Sequence, residues 1–418
     1  GSGLAADGGQ VVVGVPNASL DGLFEHGLVL VSNADGILVE LPMLPQESGF
    51  LIGSDVAISG GFAFASCTGR TEGFNGNVGG VLVWRQLAPD TWSSPELLSR
   101  PDWDDQFFAG YQIAASNGVV AVSVPGVVGG FPAGAGAVDL WSFGGSDASQ
   151  YVGRVSDGGE PDSFFGASLD LNESFLVVGA PTVGAGRVHI FDRNGTSFAY
   201  RGFLEGNSQG DQFGASVFLH NSTLFVGAPR VGASNLGEAY RFAIQDGLPN
   251  PNMTYEAPAG SLPNARFGLS VAGDDFHVCA TGFQNGHAAL WRADFVDGLP
   301  DSMITDGFFG RIRDVYADGS GLFYLPDEFS GDVIVLNPRQ DCNLNGICDP
   351  DEEGPDCNNN GIPDAPCDLV SIGDCDGNGI PDDCQPDCDN DGLIDACDLD
   401  DDGDGIEDGC DASSCGQT

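Results

Sequence analysis

The sequence has no lysine. Its 14 cations are all arginine, they face 61 acidic residues, and the formal net charge is −47. So thin a set of cations argues against nucleic acid or an anionic lipid surface as a partner, because phosphate binding needs clustered positive charge. No apolar run approaches the roughly 20 residues that a membrane-spanning helix requires. No basic-then-apolar leader is present, and the chain begins at Gly1 rather than Met; a secretion signal is therefore expected to have been removed. No H-E-x-x-H, G-x-S-x-G, P-loop or dinucleotide-binding fingerprint stands in context, and sustained helical periodicity is absent.

What is present is unevenly placed. Hydrophobic residues make up 41% of the chain, enough for a core. Yet residues 341–418 hold 24 of the acids, 10 of the 12 cysteines, and no Arg, His, Phe, Tyr or Trp. Such a segment cannot bury enough apolar surface to offset its ordering entropy. It is either disordered or held by cross-links and metals. Its even set of cysteines predicts an oxidising, extracellular setting.

The body is a repeat. Short apolar strands recur as VVVGVP (11–16), FAFASC (62–67), VVAVSVP (119–125), FLVVGAP (175–181), TLFVGAP (223–229), FHVCATG (276–282) and LFYLP (322–326). Most follow an aromatic-Gly element: FLIGS (50–54), FFAGY (107–111), FFGAS (164–168), QFGAS (212–216), RFGLS (266–270) and FFGRI (308–312). Alternating strands come next, as in GRVHIFD (186–192) and GEAYRF (237–242). Short β-branched and aromatic runs punctuated by Gly and Pro read as antiparallel strands. Three or four strands per copy and seven copies predict a seven-bladed β-propeller, all-β, over residues 1–338, with the repeated Phe packed between blades. The copies FFGASLDLNESFLVVGAP (164–181) and QFGASVFLHNSTLFVGAP (212–229) resemble the FG-GAP repeats of integrin-alpha-like propellers. That resemblance implies an extracellular binding or assembly scaffold. The calcium loop carried by many members of that family is not found in this body.

Residues 339–418 read as a calcium-binding arm. Five segments fit Asp-x-[Asp/Asn]-x-[Asp/Asn]-Gly-x-x-Asp, starting at Asp341, Asp356, Asp374, Asp387 and Asp400. Calcium takes six to eight hard oxygen ligands, and side chains at positions 1, 3 and 5 converge when the loop turns at Gly. These are Asp341, Asn343 and Asn345; Asp356, Asn358 and Asn360; Asp374, Asp376 and Asn378; Asp387, Asp389 and Asp391; and Asp400, Asp402 and Asp404. Position 7 offers a backbone carbonyl, from Ile347, Ile362, Ile380, Leu393 and Ile406. Position 9 adds Asp349, Asp364, Asp382, Asp395 and Asp408, and position 12 adds Glu352, Asp398 and Asp411. Cys367 and Gln385 stand at position 12 of the second and third loops. The repeats resemble thrombospondin type 3 repeats, which implies a chain wrapped around a row of Ca²⁺ ions and disulfides, about one ion for each of the five loops. Zinc fits less well, since no C-x-x-C pair exists and carboxylates suit the harder ion.

The remaining candidates carry less. His26, His189, His220, His277 and His287 are scattered. Cys67 and Cys279 lie in apolar runs and read as core thiols. Asp105, Asp162, Asp211 and Asp306 precede aromatic-Gly elements and read as turn residues, which also accounts for the cluster Asp102, Asp104 and Asp105. Sequons begin at Asn17, Asn172, Asn194, Asn221 and Asn252. The expected function is a secreted, non-enzymatic calcium-binding structural or adhesive protein. Its arm is expected to join subunits head to tail into filaments or matrix. The alternatives are a monomeric adhesin or lectin with the arm as spacer, and a propeller glycosidase or lyase.

Overall fold

The computed structural model describes residues 3–18, 26–32, 37–43, 50–70, 78–100, 109–125, 135–144, 149–244, 251–257, 261, 263–274 and 277–282, with short strand runs at 288–292, 302–304, 315–317, 323–326 and 333–336. The chain divides into two units, Gly1–Val335 and Leu336–Thr418. The second, with the expected calcium-binding arm, lies outside the described residues apart from Leu336.

Strands follow one another in seven sheets. Sheet 1 holds β1 (Gly3–Asp7), β2 (Gln10–Val15), β3 (Leu28–Ser32) and β4 (Leu38–Glu40). Sheet 2 holds β5 (Ile52–Ser59), β6 (Phe62–Cys67), β7 (Val81–Ala88), β8 (Thr91–Trp92) and β9 (Glu96–Leu98). Sheet 3 is β10 (Ile113–Ser116), β11 (Val119–Val124), β12 (Ala137–Ser142) and β13 (Gln150–Val155). Sheet 4 is β14 (Ser168–Leu171), β15 (Phe175–Ala180), β16 (Arg187–Asn194) and β17 (Ser197–Glu205). Sheet 5 is β18 (Ser216–His220), β19 (Thr223–Ala228), β20 (Glu238–Ala243) and β21 (Pro251–Glu256). Sheet 6 is β22 (Ser270–Gly273), β23 (His277–Thr281), β24 (Ala288–Arg292) and β25 (Ser302–Ile304), and sheet 7 is β26 (Tyr316–Ala317), β27 (Phe323–Pro326) and β28 (Val333–Leu336). The first strand of each sheet packs against the first strand of the next, and β26 returns to β1. This is a β-propeller, with β1, β5, β10, β14, β18, β22 and β26 innermost.

The expectation of a seven-bladed propeller needs correction: five blades are regular. Five sheets are regular four-stranded blades, whereas sheet 2 has five strands and sheet 7 has three among the described residues. In sheet 2 the outermost strand is broken. β8 and β9 both pair with β7, at its two ends, and Ser93, Ser94 and Pro95 lie between them. Pro95 has no N–H for a ladder. Sheet 7 corresponds to the most degenerate copy, in which LFYLP replaces the Gly-Ala-Pro ending.

The repeated apolar runs are the second strands. In β11 and β15 every residue is buried, as expected for strands covered on both faces. The core is a set of layers between sheets. Phe165 lies between sheets 3 and 4, Phe213 between sheets 4 and 5, and Phe267 between sheets 5 and 6, each almost wholly buried. Tyr324 of sheet 7 packs with Leu4, Ala6 and Val13 of sheet 1, and the Tyr316 hydroxyl donates to the Ala6 carbonyl at 2.8 Å. Side-chain packing and this bond join the two ends of the ring.

The aromatic-Gly element touches the preceding blade through backbone. Gly27, Gly79, Gly136 and Gly237 each form a parallel bridge to Ile52, Ala109, Phe165 and Phe267 of the next sheet. At Gly237 φ is +86°, and an added Cβ would land on the Phe267 carbonyl and amide. The residue two before the glycine takes a left-handed conformation in four copies: Leu51 (φ 52°), Phe164 (50°), Gln212 (59°) and Arg266 (53°). Such conformations cost about 1 kcal/mol or more each for residues bearing a Cβ. Partial compensation comes from the turn bonds Ala167 N–H to the Phe164 carbonyl (2.9 Å) and Ala215 N–H to the Gln212 carbonyl (3.0 Å). Asp162 is also left-handed (φ 55°), and the Asp211 carboxylate accepts from the Ser208 amide at 2.8 Å. Both serve the turn, as expected; Asp102, Asp104, Asp105 and Asp306 lie outside the described residues.

A Gly237→Ala variant combines a left-handed strain with a backbone clash, and should lose about 1–3 kcal/mol of stability. Gly195→Ala, at a turn with open space (φ +62°), should lose about 1 kcal/mol. Urea unfolding of the two variants checks the ordering.

Candidate functional site: the axial cavity

The innermost strands enclose a cavity of about 590 Å³, within the range of small-molecule sites. All seven sheets contribute to its wall. Much of that wall is Ala, Val, Leu and Ile, and the polar side chains include Asp55, Gln112, Asp170, His220 and Asn221, with Tyr111 and Tyr316.

Several polar groups on the wall are latches between blades. The Ser168 hydroxyl donates to the Gly214 carbonyl at 2.8 Å, and Ser216 does the same to Gly268 at 3.0 Å. Ser270 instead accepts from the Val315 amide (3.2 Å), and the Asp55 carboxylate accepts from the Ile113 amide (2.6 Å). These four side chains stand two residues after the glycine of the aromatic-Gly element, so their role repeats with the fold.

Asp170 does not repeat. The ladder pairs it with Val177, and the same register position holds Ala5, Ala57, Ala114, Phe218 and Ala272 in sheets 1, 2, 3, 5 and 6. One Asp170 oxygen accepts from the Leu219 amide of the next sheet and the other from the Leu171 amide, both at 2.7 Å. Part of its surface stays open to the cavity. Desolvation by burial outweighs the two amide bonds and pushes its carboxyl up to about 7.

The 28 proposed calcium ligands from Asp341 to Asp411 all lie outside the described residues, as does His287. No metal-holding cluster of His, Cys, Asp and Glu occurs among the described residues. Cys67 and Cys279 are buried free thiols, and burial pushes each up to about 12, so both are core residues as expected. His189 is buried between Phe165 and Phe203, its Nδ1 lies 3.3 Å from the Tyr200 hydroxyl, and desolvation pulls its imidazole down to about 4. His277 sits beside Asp274, whose carboxylate accepts its amide at 2.6 Å. His26 is buried against Phe50, and His220 lines the cavity. Of the sequons, Asn17, Asn194 and Asn221 are exposed, while the Asn172 side-chain Oδ1 accepts from the Ser174 and Phe175 amides within a turn. Composition missed Asp170 and Phe218 because a lone Asp or Phe in a strand carries no motif. The available signal was their departure from Ala in the aligned copies.

No protein-family model and no curated protein matches the chain. Solved structures do. The β-propeller domain of Cps50 (Swd1) from Myceliophteria thermophila is similar at a TM-score of 0.51 and 11% identity, covering 78% of this chain and 93% of that one. A Bacteroides fragilis protein described as a 6-phosphogluconolactonase is similar at 0.52 and 10% identity, covering 80% and 91%. At this identity the likeness shows the fold alone. It also corrects the expectation of a non-enzymatic protein. A propeller of this shape is described as an enzyme in one neighbour, so the architecture is no ground for excluding catalysis.

The raised carboxyl of Asp170 sets a sign. The native state holds this proton more tightly than the unfolded chain, whose carboxyl titrates near 4. The associated stability is complete below about pH 4 and is lost as pH rises through about 7. Asp170→Asn removes the ionisation, so the variant's stability relative to the parent should be greater at pH 8 than at pH 5. Chemical denaturation at the two pH values checks this.

Proposed function

We propose that the protein is an extracellular, calcium-dependent binding and assembly protein. A propeller head, with the two irregular sheets completing seven FG-GAP-like blades, is followed by a thrombospondin type 3-like arm that takes up Ca²⁺. The observation that carries this reading is the run of five Asp/Asn-Gly loops in residues 341–408. Their side-chain donors at positions 1, 3 and 5 are all hard oxygens, at a spacing that suits calcium.

Two physical arguments support it. The arm has 24 acidic residues and no cation, so without bound cations its compact form would be opposed by its own charge. Bound Ca²⁺ would remove that repulsion and act as an interior, making folding metal-linked. The head, in contrast, has apolar layers to bury. Its interlayer cores are apolar and almost wholly buried, leaving its loops and outer strands available for contact. In this reading the arm of one subunit docks on the head of another, a head-to-tail contact that gives open filaments when its rotation does not close.

Calcium should bind with a stoichiometry near one ion for each of the five loops. Chelation should reduce assemblies to single chains, and added Ca²⁺ should restore them. Isothermal titration and analytical ultracentrifugation read both quantities. A lack of calcium binding overturns the reading. Binding without any change in size instead favours a monomeric adhesin with the arm as spacer.

A further inference from the structure

The axial cavity departs from the repeat in adjacent sheets at one register level. Where β1, β5, β10 and β22 place Ala5, Ala57, Ala114 and Ala272, β14 places Asp170 and β18 places Phe218. Four of these six positions thus show that Ala satisfies the packing of an inner strand. Neither a carboxyl nor a phenyl ring is needed there to build a blade. Both side chains line the cavity.

The Phe218 ring also meets Tyr316 of sheet 7, edge to face with centroids 5.9 Å apart, and Tyr316 lines the same cavity. The Tyr316 hydroxyl is held by the Ala6 carbonyl, which fixes that ring. Asp170 is anchored to the strand that carries Phe218, through the amide of the next residue, Leu219. An acid and a pair of aromatic rings therefore share one compartment. A second carboxylate, Asp55, lines it as well.

We propose that the axial cavity binds a small organic ammonium compound, its charge held by Asp170 and its apolar part by the Phe218–Tyr316 ring pair. A carboxylate gives a charge-assisted bond to an N–H⁺ donor, and aromatic faces attract cations. Partial enclosure by the innermost strands limits competition from bulk water for both contacts. The two amide bonds to Asp170 fix the carboxyl in place before a ligand arrives and leave it further acceptor capacity. Desolvation opposes ionisation of the empty site, and a bound cation would reverse that. This inference is independent of the calcium-binding arm.

The test uses the full chain at pH 8, where Asp170 is ionised, with phenethylamine as probe and phenethyl alcohol and phenylacetate as neutral and anionic controls. Isothermal titration should show the amine binding at least about tenfold more tightly than either control. Asp170→Asn should weaken amine binding by about tenfold or more, and Phe218→Leu by about threefold. Equal binding of amine and alcohol, or no amine binding at millimolar concentration, overturns the proposal. So does unchanged amine affinity in folded Asp170→Asn. If that variant does not fold, Phe218→Leu decides: the expected loss supports the site and unchanged affinity removes it.

Discussion

The head depends on how closely neighbouring sheets approach at their glycine junctions. Gly136 and Gly237 bridge to the residues of the next sheet that carry Phe165 and Phe267. Because no side chain separates the backbones there, the two Phe rings are driven into the interlayer cores, where they are almost wholly buried. The same approach positions the innermost strands around the axis, so the cavity and its wall follow from it. The left-handed residues at Leu51, Phe164, Gln212 and Arg266 are a cost of this geometry, offset by burial of the adjacent aromatic or aliphatic side chain.

Much of this was legible in the residues. VVAVSV and FLVVGA read as short apolar strands, and they are β11 and β15, buried at every residue. GRVHIFD and GEAYRF were placed as following strands, and β16 and β20 occupy them. The interlayer role of the repeated Phe also follows from its recurrence beside glycine. Other features depend on tertiary context. In sheets 3, 4 and 5 the ladder between third and fourth strands is irregular at Leu140/Trp141, Ile190/Phe191 and Arg241/Phe242. The sequences at these points share no turn signal, because a bulge is imposed by strand twist and by what the outer strand must reach. The splitting of the outer strand in sheet 2 was likewise hidden, although Pro95 is its visible cause. Asp170 was overlooked because its meaning lies in a comparison between copies rather than in a motif.

Head and tail differ in what their residues offer for order. The head buries apolar layers between sheets, and its charged groups are used locally. Asp139, for example, has no exposed surface and is bound through both oxygens by Arg154 at 2.7 Å. The tail has no aromatic residue to bury, and its chemistry is that of hard-oxygen donors at loop spacing. Propeller neighbours at 10–11% identity establish the architecture of the first unit and leave the chemistry to be argued from the side chains.

The central claim is that divalent ions supply the interior that residues 341–418 lack. Hydrogen-exchange mass spectrometry of the full chain, with calcium and then with chelator, tests it most directly. The account predicts that amides of 341–411 are protected with calcium and exchange rapidly without it, while β11, β15 and β19 are protected in both conditions. Equal protection of residues 341–411 with and without calcium would contradict it.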